Sequence, residues 1–240
     1  MAGKPYSNRF SELEEHFLEL EPSIPEGPEK EAIALLHAMI QEAPRHPAGR
    51  AAGGEPTLQD VANLYKSAPP MDGKAENLPL PVGTPAPDFA LRDAKGETVR
   101  LSDFRGRPVV LVFYPLDWSP TCSDQLSLYQ SELEEFQRLG AQVVGISVDS
   151  IYSHGAWAAV RGITFPLLAD FHPKGEVARR YQVWREADGF SERALYVIDG
   201  DGIIRYSHVS PELHKIPDIY ELLDVLQGVA GARESAGARG

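Results

Sequence analysis

The sequence predicts an α/β fold in which a mixed central sheet is flanked by helices, and three observations predict it. Residues 109–161 alternate strand-like and helix-like patterns, a βαβα run that implies parallel strands joined by a crossover. Two pairs of short segments, one on each side of that run, are centred on turn residues and read as antiparallel hairpins. With 42% apolar residues among 240, the chain holds enough hydrophobic side chains for a substantial core.

Before Pro69, two or three short amphipathic helices are expected. Ser11 and Glu14 form a capping box ahead of Leu13, Phe17 and Leu20. Pro28 fits a first helical position ahead of Ile33, Leu36, Met39 and Ile40, and Pro44 stops that helix. Thr57 begins a third, with Val61, Leu64 and Tyr65 on one face. The connections at 46–56 and 67–87 are rich in Gly and Pro. Residues 1–80 therefore read as an N-terminal helical extension and Pro-rich linker, whose apolar stripes need the main domain or another subunit to cover them.

The main domain is expected over 81–228. Segments 89–92 and 98–101 flank Asp93-Ala94-Lys95-Gly96 as a hairpin. The β-branched run 109–113 is a buried strand, the Pro, Ser and Thr residues of 115–121 are a turn, and Leu126, Tyr129, Leu133 and Phe136 form the apolar face of a helix. A strand at 142–148 and a short helix over 153–161 follow. Segments 194–198 and 203–208 flank Gly200-Asp201-Gly202 as the second hairpin. Asp199 and Asp201 belong to that turn, since the loop is too short for a calcium loop and has no closing Glu. Pro217 opens a last helix carrying Ile219, Leu222, Leu223 and Leu226, and 229–240 reads as a flexible tail.

Composition narrows the function. A formal net charge of −12 argues against nucleic acid or an anionic membrane surface as partner, and the basic pairs Arg105/Arg107 and Arg179/Arg180 read as solvated surface. No apolar stretch approaches the ~18 residues of a membrane span, and Met1-Ala2-Gly3-Lys4-Pro5-Tyr6-Ser7 lacks the apolar core of a signal peptide. A soluble, cytoplasmic protein is expected. The seven histidines form no i, i+4 pair, and the single cysteine excludes a thiolate-rich metal site, so neither metal nor cofactor is expected. His154 and Trp157 share one short helical segment, either flanking the active site or, more simply, as core or surface residues.

That cysteine, Cys122, follows the turn and lies in the first helical turn. Unpaired N–H groups and the positive end of the helix dipole favour an anion there, which biases the thiol toward the reactive thiolate. Ser119, three residues upstream, can aim its hydroxyl at the sulfur.

Pro115, Ser119 and Cys122 follow the spacing of Pro, three residues, Thr or Ser, two residues, Cys, and this resembles the active-site pattern of the peroxiredoxin family. Gly83-Thr84-Pro85-Ala86-Pro87-Asp88-Phe89 is similar to the family's opening segment, and Phe165-Pro166-Leu167-Leu168-Ala169-Asp170 to a later strand and turn. Arg193, before the strand-like 194–198, resembles the arginine that completes the family's site. The likeness runs from about residue 81 to 227. It departs at Gln125, where many members carry Glu, and in the absence of a second cysteine, which makes it a likeness to the single-cysteine members.

The resemblance implies a thioredoxin-like fold and a thiol-dependent peroxidase acting on hydrogen peroxide, organic hydroperoxides or both. It implies that Cys122 is the nucleophile and that Arg193 and the backbone N–H groups of Thr121 and Cys122 stabilise charge. Ser119 would link thiolate and peroxide, Pro115 would shield the sulfur, and Gln125 would meet Arg193 without holding it by charge. The sulfenic acid product then needs an external thiol, either a low-molecular-weight thiol or a thioredoxin-like protein, and a homodimer or higher homo-oligomer fits the family. Two other readings of the chain are a thioredoxin-fold binding or chaperone module, and a peroxide sensor that passes oxidation to a partner.

Overall fold

The computed structural model describes residues 71–237; the two or three helices expected before Pro69 lie outside them. In chain order, β1 (Ala90–Asp93) and β2 (Thr98–Arg100) form the first hairpin, and a 3-10 turn covers Leu101–Phe104. β3 (Val109–Phe113) leads into α1 (Pro120–Ser131) and α2 (Leu133–Arg138), β4 (Gln142–Ser147) into α3 (Ile151–Arg161), and β5 (Leu167–Ala169) into α4 (Glu176–Arg180). A small hairpin of β6 (Trp184–Arg185) and β7 (Phe190–Ser191) precedes β8 (Ala194–Ile198), β9 (Ile204–Val209) and α5 (Ile219–Gly237).

One seven-stranded sheet carries the order β2-β1-β5-β4-β3-β8-β9. β3, β4 and β5 are parallel, as the crossover pattern requires, and the two hairpins add antiparallel strands at both edges. All five residues of β3 are buried because both faces of the sheet are covered. Val109, Leu111 and Phe113 face one core with Ile146 and Tyr196, while Val110 and Val112 face the other with Leu126, Tyr129, Trp157 and Leu222. Gly145 of β4 has no room for a side chain, since a Cβ there would lie 2.7 Å from Leu167 Cδ2 and 3.2 Å from the Tyr114 ring.

The expected hairpins and central strands are present, with four differences. Leu101 leaves the predicted second strand for the 3-10 turn, which buries it together with Phe104. The helix after Cys122 breaks at Glu132, whose φ of −96° and ψ of 11° end α1. The final helix starts at Ile219 rather than at Pro217, because Asp218 caps it by accepting from Tyr220 N at 2.8 Å. Its backbone stays helical through Gly237, across the segment read as a tail, where Ala230, Ala232 and Ala236 favour helix.

Residues read as linker are fastened to the domain by antiparallel bridges, Lys74 to Glu212 and Pro85 to Ile203. Among the basic pairs, Arg179 binds Glu186 and Arg180 donates to the Asp88 carbonyl. Asp199 holds its own turn by accepting from Asp201 N and Ile203 N. Among the described residues no helix is long and apolar enough to cross a membrane.

One topological fact places the site. β8 runs antiparallel beside β3 with Phe113 opposite Ala194, so Arg193, just before β8, lies at the sheet end where the chain leaves β3 toward Cys122.

Candidate active site

Turn chemistry sets the position of the sulfur. Ser119 is the N-cap of α1, with φ −67° and ψ 139°, Pro120 occupies the first helical position, and Cys122 is the third helical residue. The Ser119 hydroxyl donates to Cys122 Sγ at 3.2 Å and accepts from Cys122 N at 3.4 Å. The cap therefore serves helix and sulfur together. It also engages the Cys122 N–H that the family pattern would aim at an incoming anion. Thr121 is half-buried beside it, and Pro115 is buried in the preceding loop.

Arg193 reaches the same sulfur from 71 residues away, Nη2 donating to Cys122 Sγ at 3.5 Å. Its Nε donates to the Leu213 carbonyl at 2.8 Å, and its Nη1 donates to Gln125 Oε1. Gln125 lies three residues, nearly one helical turn, on from Cys122, and its amide nitrogen donates to Tyr129 Oη at 3.2 Å. The amide is thereby fixed with its oxygen toward the guanidinium. Cys122, Gln125 and Arg193 are all fully buried. Burial pushes the Tyr129 hydroxyl up to about 12, so it stays protonated at neutral pH. Five of the residues singled out in the sequence, Ser119, Thr121, Cys122, Gln125 and Arg193, are thus gathered around the sulfur or its helical turn.

A second polar cluster under the same loop was not foreseen. Asp117 accepts from Tyr114 Oη at 2.9 Å, from Ser153 Oγ at 2.7 Å and from His154 Nδ1 at 3.0 Å. Its backbone N–H donates to Asp149 at 2.8 Å, and Asp149 also accepts from Ser147 Oγ at 2.7 Å. Trp118, next in the loop, adopts a left-handed φ of 63° and donates from its indole to Ser153 Oγ at 3.2 Å. That conformation costs about 1–2 kcal/mol for a non-glycine residue, which the anchors on either side must offset. His154 is therefore a core residue beneath the loop, and the only sequence sign of the cluster was a carboxylate set between Leu116 and Trp118. Burial and the nearby Asp117 push the Tyr114 hydroxyl well above its ordinary range, which keeps it a donor.

Residues 82–207 match the family model described as the AhpC/TSA family. The chain is 40% identical over 131 residues to alkyl hydroperoxide reductase E of Mycobacterium tuberculosis, covering 54% of this chain and 86% of that protein. It is 37% identical over 134 residues to peroxiredoxin-2 of Macaca fascicularis, covering 52% of this chain and 67% of that one. The crystal structure of the peroxidoxin BcpB from Mycobacterium tuberculosis superposes with a TM-score of 0.56 at 30% identity, over 62% of this chain and 97% of that chain. The matched stretch begins just before the first hairpin and takes in both Cys122 and Arg193. The chain belongs to the AhpC/TSA family and is a peroxiredoxin, a thiol-dependent peroxidase, of the single-cysteine type.

Proposed function

We propose that Cys122 is the peroxidatic nucleophile of this enzyme, with Ser119 and Arg193 as the groups that touch the reacting atoms. The observation that carries the reading is the convergence of two donors from distant parts of the chain on one fully buried sulfur, at 3.2 Å and 3.5 Å. The Cys122 thiolate attacks one oxygen of a hydroperoxide, the S–O bond forms as the O–O bond breaks, and the other oxygen leaves as an alkoxide or hydroxide that takes up a proton. Sulfur is oxidised to sulfenic acid and the peroxide is reduced to an alcohol or water. An external thiol then displaces water from the sulfenic acid, and a second thiol releases the reduced enzyme with a disulfide as product.

A magnitude assigns the work of the arginine. A free cysteine with a pKa of about 8.5 is about 3% thiolate at pH 7, so full ionisation gains about 30-fold at most. Larger acceleration requires stabilising the transition state, in which negative charge spreads from sulfur to the leaving oxygen. A guanidinium has five N–H donors; Leu213, Gln125 and the sulfur engage three, and the others are available to peroxide oxygens. Pro115 shields the site from water, and the Thr121 amide supplies a further donor.

Within this reading the substrates are hydrogen peroxide and alkyl hydroperoxides, in keeping with the named activity of the mycobacterial relative. The reductant is a low-molecular-weight thiol or a thioredoxin-like protein in the cytoplasm, and the enzyme works as a homo-oligomer. Peroxide consumption measured with several thiol donors tests it. Dimedone added after one equivalent of peroxide should label Cys122, and Cys122→Ser should abolish turnover while keeping the fold. Turnover by the folded Ser variant would overturn the assignment.

A further inference from the structure

We infer that residues 73–77, which precede the family-matched stretch, form a strap that positions Arg193 for catalysis. The inference rests on the role proposed above for Arg193. On one side the strap holds the carbonyl that receives the arginine: Leu213 N donates to the Gly73 carbonyl at 2.9 Å and Ala75 N donates to the Pro211 carbonyl at 3.0 Å. The Leu213 carbonyl in turn accepts from Arg193 Nε at 2.8 Å. On the other side the strap holds the residue next to the arginine. Glu192 is fully buried, and its Oε1 accepts from Glu76 N at 2.8 Å and from Asn77 Nδ2 at 3.1 Å.

Arg185 ties the two sides together. Its Nη1 donates to the Lys74 carbonyl at 2.8 Å and to Glu192 Oε2 at 3.1 Å, and its Nη2 donates to Glu76 Oε1 at 3.0 Å. A carboxylate withdrawn from water has to be met by donors, and those of Glu192 come from the strap and from Arg185. Loosening the strap therefore releases both the chain position of Arg193 and the carbonyl that fixes its Nε. The value of a guanidinium as a two-pronged donor depends on its orientation, and small displacements of a reacting constellation are costly. Glu76, Asn77 and Glu192 are positioning residues: they act through Arg193 and do not touch the sulfur.

The test uses the full chain and a double-mutant cycle. Glu192→Leu and Glu76→Pro, the latter deleting the N–H given to Glu192, should each lower the second-order rate of hydrogen peroxide reduction by about 5- to 30-fold. Glu192→Gln, which keeps an acceptor oxygen for the strap, should recover part of the loss. Alkylation of Cys122 by iodoacetamide, compared at a pH high enough that the sulfur is ionised in every variant, should change by less than about twofold. In an Arg193→Lys background the strap substitutions should have little further effect. Should Glu192→Leu or Glu76→Pro fail to fold, Asn77→Ala, which removes one strap amide, should show the same pattern at about threefold. A wild-type peroxide rate in the folded variants, a parallel fall in alkylation, or undiminished losses in the Arg193→Lys background overturns the strap. If instead Arg193→Lys alone reacts at the wild-type rate, the site assignment fails first and the strap fails with it.

Discussion

The loop between β3 and α1 is held by two buried polar clusters that are built in opposite ways. Around Asp117, three donors converge on a carboxylate able to accept them all, and of the cluster's buried polar atoms His154 Nε2 alone is left without a partner. Around Cys122, a hydroxyl and a guanidinium converge on sulfur, a weak acceptor, so donor capacity exceeds what the resting site uses. The first arrangement fixes a loop. The second can accommodate an arriving peroxide and the charge it develops, because its donors are already oriented in a site closed to bulk water. The two clusters thus differ in the acceptor at their centre: a carboxylate that takes up the donors aimed at it, and a sulfur that leaves donor capacity for the role proposed above.

The sharpest way to break this division is at Arg193. Arg193→Lys keeps a positive charge and loses the planar fork, and the peroxide rate should fall by about 100- to 1,000-fold with the melting temperature little changed. Stopped-flow rates across pH measure it. Gln125→Glu in the same experiment should give a mild change, since a carboxylate fixes the guanidinium by a charge-assisted bond but places a negative charge near the reacting sulfur. A shifted pH midpoint reports the second effect, and the plateau rate the first.

The converse holds at Asp117. Asp117→Ala strands the Tyr114, Ser153 and His154 donors in the core, so stability should fall by about 3–5 kcal/mol, read as a lower urea midpoint. Peroxide attack by the molecules still folded should slow far less than in Arg193→Lys. Equal damage to rate and stability in both variants would show that the clusters are one unit.

Much of the cluster around the sulfur was legible in the sequence because it is local or carried by a motif. Ser119, Pro120 and Cys122 lie in one turn whose capping chemistry is a property of four consecutive residues, and Arg193 precedes an unmistakable buried strand. The cluster around Asp117 was not legible, since apart from Tyr114 its partners Asp149, Ser153 and His154 lie more than 30 positions away and neither half signals the other. Leu213 acts through its carbonyl and leaves no side-chain trace. Residues 73–77, Gly-Lys-Ala-Glu-Asn, have the small, polar composition of a linker, and composition alone does not separate a linker from a strap. The break at Glu132 was hidden for a different reason, since Tyr129, Leu133 and Phe136 keep their helical spacing across it.

A gentler probe of the cluster around the sulfur is Ser119. Thr should be tolerated, because it retains the cap and the donor, whereas Val should slow peroxide attack by about 1.5–3 kcal/mol, the usual worth of a hydrogen bond to a charged group. Equal rates for the two variants would mean that the hydroxyl serves only the helix.

The smallest expected effect tests whether the cluster around Asp117 is as balanced as its geometry implies. Burial, reinforced by the nearby charge of Asp117, raises the pKa of Asp149 above that of a free aspartate, while the Asp117 N–H, the Ser147 hydroxyl and His154 pull it the other way. A raised folded value means that the native state binds the proton more tightly than the unfolded chain does. The stability this group contributes is then fully present below about pH 3.9 and is lost as pH climbs through the folded value, with no further change above it. Asp149→Asn keeps an oxygen that can accept from Asp117 N and Ser147 Oγ and does not titrate. Measured by urea unfolding at a series of pH values, the variant should gain on the wild type as pH rises from about 4 toward neutrality, then run parallel to it. The opposite slope, with the variant losing ground as pH rises, would mean that the donors around Asp149 outweigh its burial and that this cluster, like the one around the sulfur, holds more donor capacity than its carboxylates consume.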